Sequence, residues 1–148
     1  MRFVAVLALC TFASIPAAFA IDETTPDATA IAALELRAQQ ATPKEQCFLY
    51  AELVHKMTEL AGKQLAMGDL EHASASIQVV QRYAAKIHMG VADDSKRLKN
   101  AEILVRHTAF RLKDIMSEAA LDDRPPLEAA LKQLDQIQSE LMLQVFKR

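Results

Sequence analysis

The chain has 148 residues, 51% hydrophobic and 24% charged, with a net charge of −2. That length holds one domain, and the weakly acidic balance gives no electrostatic case for nucleic acid. Two cysteines exclude a fold stapled by several disulfides, and three glycines with no alternating apolar runs exclude a turn-rich β architecture.

The first twenty residues read as an export signal. Arg2 supplies the positive end, Phe3 to Ile15 the apolar core, and Ala18-Phe19-Ala20 the small residues before a cleavage site. The apolar run is too short to span a bilayer, which needs roughly 20 residues. Leu9 before Cys10 is too large for a lipid-anchor motif, so cleavage after Ala20 and a periplasmic or secreted protein are expected. Cys10 leaves with the signal. Cys47 then stands alone, as a small buried apolar residue or as a thiol that reacts or bridges two copies.

Residues 21–41 read as a flexible leader with a short helix from about Thr29 to Gln40, carrying Ile31, Leu34 and Ala38 on one side. Residues 42–148 read as the helical domain. Thr42-Pro43-Lys44-Glu45 has the pattern of a capping box with Pro at the first helical position, a cap that contributes about 1 kcal/mol. The helix it opens should run to about Met67. Its apolar arc includes Leu49, Leu53, Val54, Met57 and Leu60, and Glu52, His55, Lys56 and Glu59 collect opposite. Gly68 followed by Asp69 predicts a tight helix–helix turn.

Leu70 to Met116 carries a heptad-spaced, coiled-coil-like stripe: Leu70, Ala73, Ile77, Val80, Ala84, Ile87 and Val91, then Leu98, Ala101, Val105, Leu112 and Ile115. Gly90 to Ser95 divides two readings. A turn there gives four main helices in a bundle. An uninterrupted helix gives a long central rod with a hairpin at each end. Pro125-Pro126 starts the last helix, with Leu127, Leu131, Leu134, Ile137, Leu141 and Val145 on one face. The expected fold is therefore all-α, built of antiparallel hairpins.

Around the Gly68 turn, Leu60, Ala61, Gly68, Ala73, Ile77 and Val80 follow the large, small and glycine pattern of one tetratricopeptide-type hairpin, and residues 57–80 resemble such a unit. Gln64 and Val80 depart from the pattern, no proline closes it, and no second copy follows at its usual period. The resemblance implies hairpin geometry. In general look the chain is similar to exported bacterial all-helical proteins. It shares size and compartment with small periplasmic stress chaperones but lacks their repeated Leu-Thr-x-x-Gln signature.

No catalytic motif is visible. Glu52-Leu53-Val54-His55 supplies one Glu-x-x-His, but a carboxylate-bridged di-iron bundle needs a second such pair, and none exists. His55, His72, His88 and His107 are too dispersed for a local zinc motif. No Gly-x-Ser-x-Gly or glycine-rich phosphate loop occurs, and no cofactor is implied. The segment from Lys96 to Lys113 stands out, with six basic residues against one acid, Glu102, in an otherwise acidic chain. Ile103 and Phe110 lie nearly opposite the main stripe, with Lys99, Arg106 and Lys113 beside them. These five residues are the candidate partner-binding set. Coverage of Ile103 and Phe110 by another helix of the bundle or by a dimer mate is the structural alternative. The expected function is that of a non-catalytic exported factor, chaperone-like or scaffolding, that binds a protein partner or a second copy. An anionic membrane surface is a further candidate for the basic face, and a bundle binding a small ligand or metal is the second function class.

Overall fold

A computed structural model describes residues 26–87 and 95–146. Every regular element in them is helical: α1 (Pro26–Gln40), α2 (Pro43–Ala66), α3 (Leu70–Ala84), α4 (Ser95–Glu118) and α5 (Arg124–Phe146), with a 3₁₀ turn at Leu121–Asp123. The fold is an all-α bundle of antiparallel hairpins. The export-signal segment, His88 and Gly90 lie outside the described residues.

α1 starts at Pro26, ahead of the expected Thr29, and buries Leu34 and Ala38. α2 starts with Pro43 at its first turn, and the capping box forms only in part: the Glu45 carboxylate accepts from the Thr42 backbone N–H, but Thr42 supplies no side-chain cap. The Thr42 hydroxyl donates to the Glu45 carboxylate at 3.2 Å and makes no bond to a backbone N–H. Glu45 also reaches Arg97 of α4, at 2.9 Å. Hydrogen bonds from Arg97 and then Thr42 hold its carboxyl below the usual range. The acid that serves its own helix end thus also links two hairpins.

The Gly68 turn forms. Gly68 has φ +76°, its N–H bonds the Leu65 carbonyl, and the Asp69 N–H bonds the Gln64 carbonyl. These are the two bonds of a Schellman ending. Asp69 then caps α3 by accepting from the His72 N–H, and the His72 ring Nδ1 lies 2.8 Å from the same carboxylate. That pairing lowers the pKa of Asp69 and raises that of His72, in each case mainly through the shared hydrogen bond. A Cβ at Gly68 would meet nothing within 4 Å, so the penalty for substitution is conformational alone. Gly68→Val is expected to cost about 1–2 kcal/mol in a urea melt. An unchanged midpoint would contradict the left-handed turn.

α3 stops at Ala84, where the N–H groups of Ala85, Lys86 and Ile87 return to Gln81, Tyr83 and Ala84. This excludes the single rod from Leu70 to Met116. The heptad phase outlasts the helix because Ile87 is buried from within the turn. Tyr50 and Tyr83 stack there at 6.1 Å, with the Lys86 ammonium 5.5 Å and 5.9 Å from their ring centres. Tyr83 also bonds Glu35 of α1, and burial followed by that carboxylate pushes its phenol well above the usual range.

α2 packs on α1, α3 and α4, and α5 packs on α3 and α4. Glu45 meets Arg97, His55 meets Thr108, and Glu59 meets Arg111, so the partners on α4 advance with those on α2. The two helices therefore run parallel. Gln133 of α5 donates to the Gln81 carbonyl at the end of α3, and residues 122–127 adjoin residues 70–77, so α3 and α5 are parallel as well. The α2–α3 hairpin is thus stacked on the α4–α5 hairpin without reversal. α1, α2 and α4 form one row, and α3 and α5 lie beneath it.

Burial repeats with the stack. Cys47, Tyr50, Ala51, Val54, Met57, Thr58 and Ala61 of α2 are buried. At one constant shift along the chain, so are Leu98, Ala101, Glu102, Val105, Thr108, Ala109 and Leu112 of α4. The first helix of each hairpin uses the same positions to reach its own core.

Candidate interaction surface

The five residues singled out in the sequence share the outer side of α4. Lys99 and Lys113 are exposed and Ile103 is half-buried. Phe110 is 59% exposed, so no other described helix covers it. The Lys113 ammonium sits over the Phe110 ring, 5.6 Å from its centre, a cation–π contact. Arg106 lies 3.9 Å from Glu102, whose carboxylate is 3.5 Å from the Gln138 amide of α5. The one acid of the basic segment is thus turned inward toward α5, while Lys99 and Lys113 remain outside.

The shift that superposes the buried positions also explains where this surface lies. On α2 the residues that meet α4 include His55, Glu59 and Gly62. The same shift carries them onto Arg106, Phe110 and Lys113. The outer side of α4 therefore has the position on its helix that α2 uses to hold a neighbour.

Other polar residues have structural partners. His55 is half-buried at the α2–α4 seam, where the sequence suggests a solvated edge. Its Nδ1 is 3.0 Å from the Thr108 hydroxyl, which itself donates to the Leu104 carbonyl at 2.8 Å. Thr108 has spent its one proton, so His55 Nδ1 is the donor. Two helices flank α2, and that second flank brought His55 inside. Among the described residues no three His, Cys, Asp or Glu side chains come together as metal ligands, and every buried side-chain N or O has a hydrogen-bond partner. Cys47 is 3% exposed, and burial pushes its thiol up to about 11. A thiol reagent at neutral pH is expected to modify Cys47 only as denaturant unfolds the chain. Full labelling of the native protein would place the thiol at the surface.

A groove of about 740 Å³ opens over the N-terminal half of α2, walled by α1 and the start of α4. Leu36, Phe48 and Leu49 supply its apolar lining, and Arg37, Lys96 and the Glu45–Arg97 pair its polar edge. Sequence reading misses it because its walls come from three helices. The weak apolar pattern of α1 hides the fact that Leu36, 55% exposed, faces away from the Leu34 side.

Comparison with protein-family models, with curated proteins and with solved structures finds no match to this chain.

Proposed function

We propose that this chain is an exported, non-catalytic helical protein that binds another polypeptide through the outer side of α4, as a scaffold or chaperone-like factor of the cell envelope. The observation that carries the reading is Phe110, an aromatic side chain left in solvent at the position where the preceding hairpin seats its neighbour. Aromatic side chains and arginine are enriched at protein interfaces and among the residues that anchor them. Export rests on the pattern of Arg2, the apolar core and Ala18-Phe19-Ala20.

One experiment tests both parts. A photo-crosslinking amino acid is placed at position 110 of the full-length chain, produced with its leader in a Gram-negative host, with position 78 on α3 as the control. A discrete adduct with another polypeptide is expected at 110 and none at 78. The exported protein is expected to begin at Ile21 by mass spectrometry. Equal yields at the two positions would overturn the interaction reading, and soluble cytosolic protein retaining Met1 would overturn export.

A further inference from the structure

We infer that the occupant of this surface is an acidic amphipathic helix of another polypeptide, lying beside α4 as α4 lies beside α2; the inference rests on the interaction reading above. α4 is held on one side of α2, and the shift that superposes the buried positions of the two helices gives α4 the same side. On α2 that side carries carboxylates, and α4 answers with guanidinium groups: Glu45 with Arg97 and Glu59 with Arg111. On α4 the polarity is inverted. Phe110 stands where α2 has Glu59, and the charges on that side are Lys99, Arg106 and Lys113, with Asp114 the one acid beside the ring. No carboxylate among the described residues pairs with Lys99 or Lys113. A helix seated there must therefore bring carboxylates for the cations and an apolar stripe for Ile103 and Phe110. From Lys99 to Lys113 the surface is about 21 Å long at 1.5 Å per residue, the length of a partner helix of about four turns.

The same observations disfavour two other occupants. A second copy related by two-fold symmetry would set each side against itself, cations facing cations. An interfacial membrane helix inserts a broad apolar face, whereas here one half-buried isoleucine and one phenylalanine lie among the charges.

The test uses the purified protein and labelled helical peptides of about twenty residues, built of leucine, alanine and glutamate, with lysine replacing glutamate in the counterpart. Fluorescence anisotropy should show binding of the glutamate peptide and none of the lysine peptide. Phe110→Ala should weaken binding about ten-fold or more. The Lys99→Glu, Lys113→Glu double variant, at two exposed lysines, should abolish binding at low salt. The wild-type complex should weaken as salt shortens the reach of the charges. Absence of binding, or binding that ignores all three substitutions, overturns the inference. So does Phe110-dependent capture by phosphatidylglycerol vesicles that the glutamate peptide does not compete away, or a dimer in sedimentation that Phe110→Ala dissolves. A crosslinked polypeptide at position 110 in cells, with no binding of the glutamate peptide, overturns the helical occupant and leaves the interaction reading standing.

Discussion

Leu112→Ala is expected to lower the unfolding free energy by about 3–5 kcal/mol, whereas Phe110→Ala, two residues away, is expected to cost less than about 1 kcal/mol. Leu112 is 0% exposed and belongs to the core cluster shared by the helices. Removing its branched end loses the transfer free energy of the missing carbons and leaves a cavity that α2 and α5 close only in part. Phe110 keeps most of its ring in water, so truncation gives back little buried area and opens no void. Urea unfolding followed by far-ultraviolet circular dichroism checks the pair. Comparable losses would mean that Phe110 is packed in the core and that α4 has no free side.

The second large effect lies at Gly62, where α2 and α4 approach each other. A Cβ there would come 2.8 Å from Ile115 Cδ1 and 3.1 Å from its Cγ1. Gly62→Leu adds a branched side chain to a seam with no space for it and is expected to cost about 2–3 kcal/mol through overpacking. Gly62→Ala differs, because the atom it meets is the far end of a flexible side chain. Its clash is set against the gain of about 1 kcal/mol from replacing glycine within a helix. Ile115→Val removes the Cδ1 methyl, and in that background Gly62→Ala is expected to stabilise by up to about 1 kcal/mol. A double-mutant cycle in urea isolates the coupling between the two positions. Additive effects would mean that the seam does not run through Gly62.

Local chemistry made part of this fold legible. Gly68 before Asp69 specified a helix stop and a cap, and both formed because each needs only a few neighbouring atoms. The stripe through Leu98, Ala101, Val105, Leu112 and Ile115 identified the buried side of α4, and all five are in the core. What depends on a partner from far along the chain was hidden. Thr42-Pro43-Lys44-Glu45 has the capping pattern, but Arg97 shares the Glu45 carboxylate and the Thr42 hydroxyl turns to that carboxylate rather than to the backbone. His55 looked solvated on a wheel of one helix, because nothing in α2 alone says that two helices flank it. The end of α3 was masked because Ile87 keeps the apolar phase after the helix has stopped. The candidate surface lay between these cases. Its residues could be picked out by charge and spacing, but the reason for their position is the repeat of α2 in α4. That repeat is one of burial, and residues as unlike as Tyr50 and Ala101, or Met57 and Thr108, occupy equivalent places.

The unreversed stack also sets an order of events in folding. Contacts inside each hairpin close short loops, while those between α2 and α4 join residues 52 or 53 apart, as at Glu59–Arg111 and His55–Thr108. Closing the longer loop costs more chain entropy and yields little until both hairpins present finished surfaces. The hairpins should therefore be largely built in the transition state, with the seam consolidating after it. Substitutions at the seam such as Gly62→Leu would then speed unfolding and leave the refolding rate almost unchanged, whereas Gly68→Val, inside a hairpin, would slow refolding.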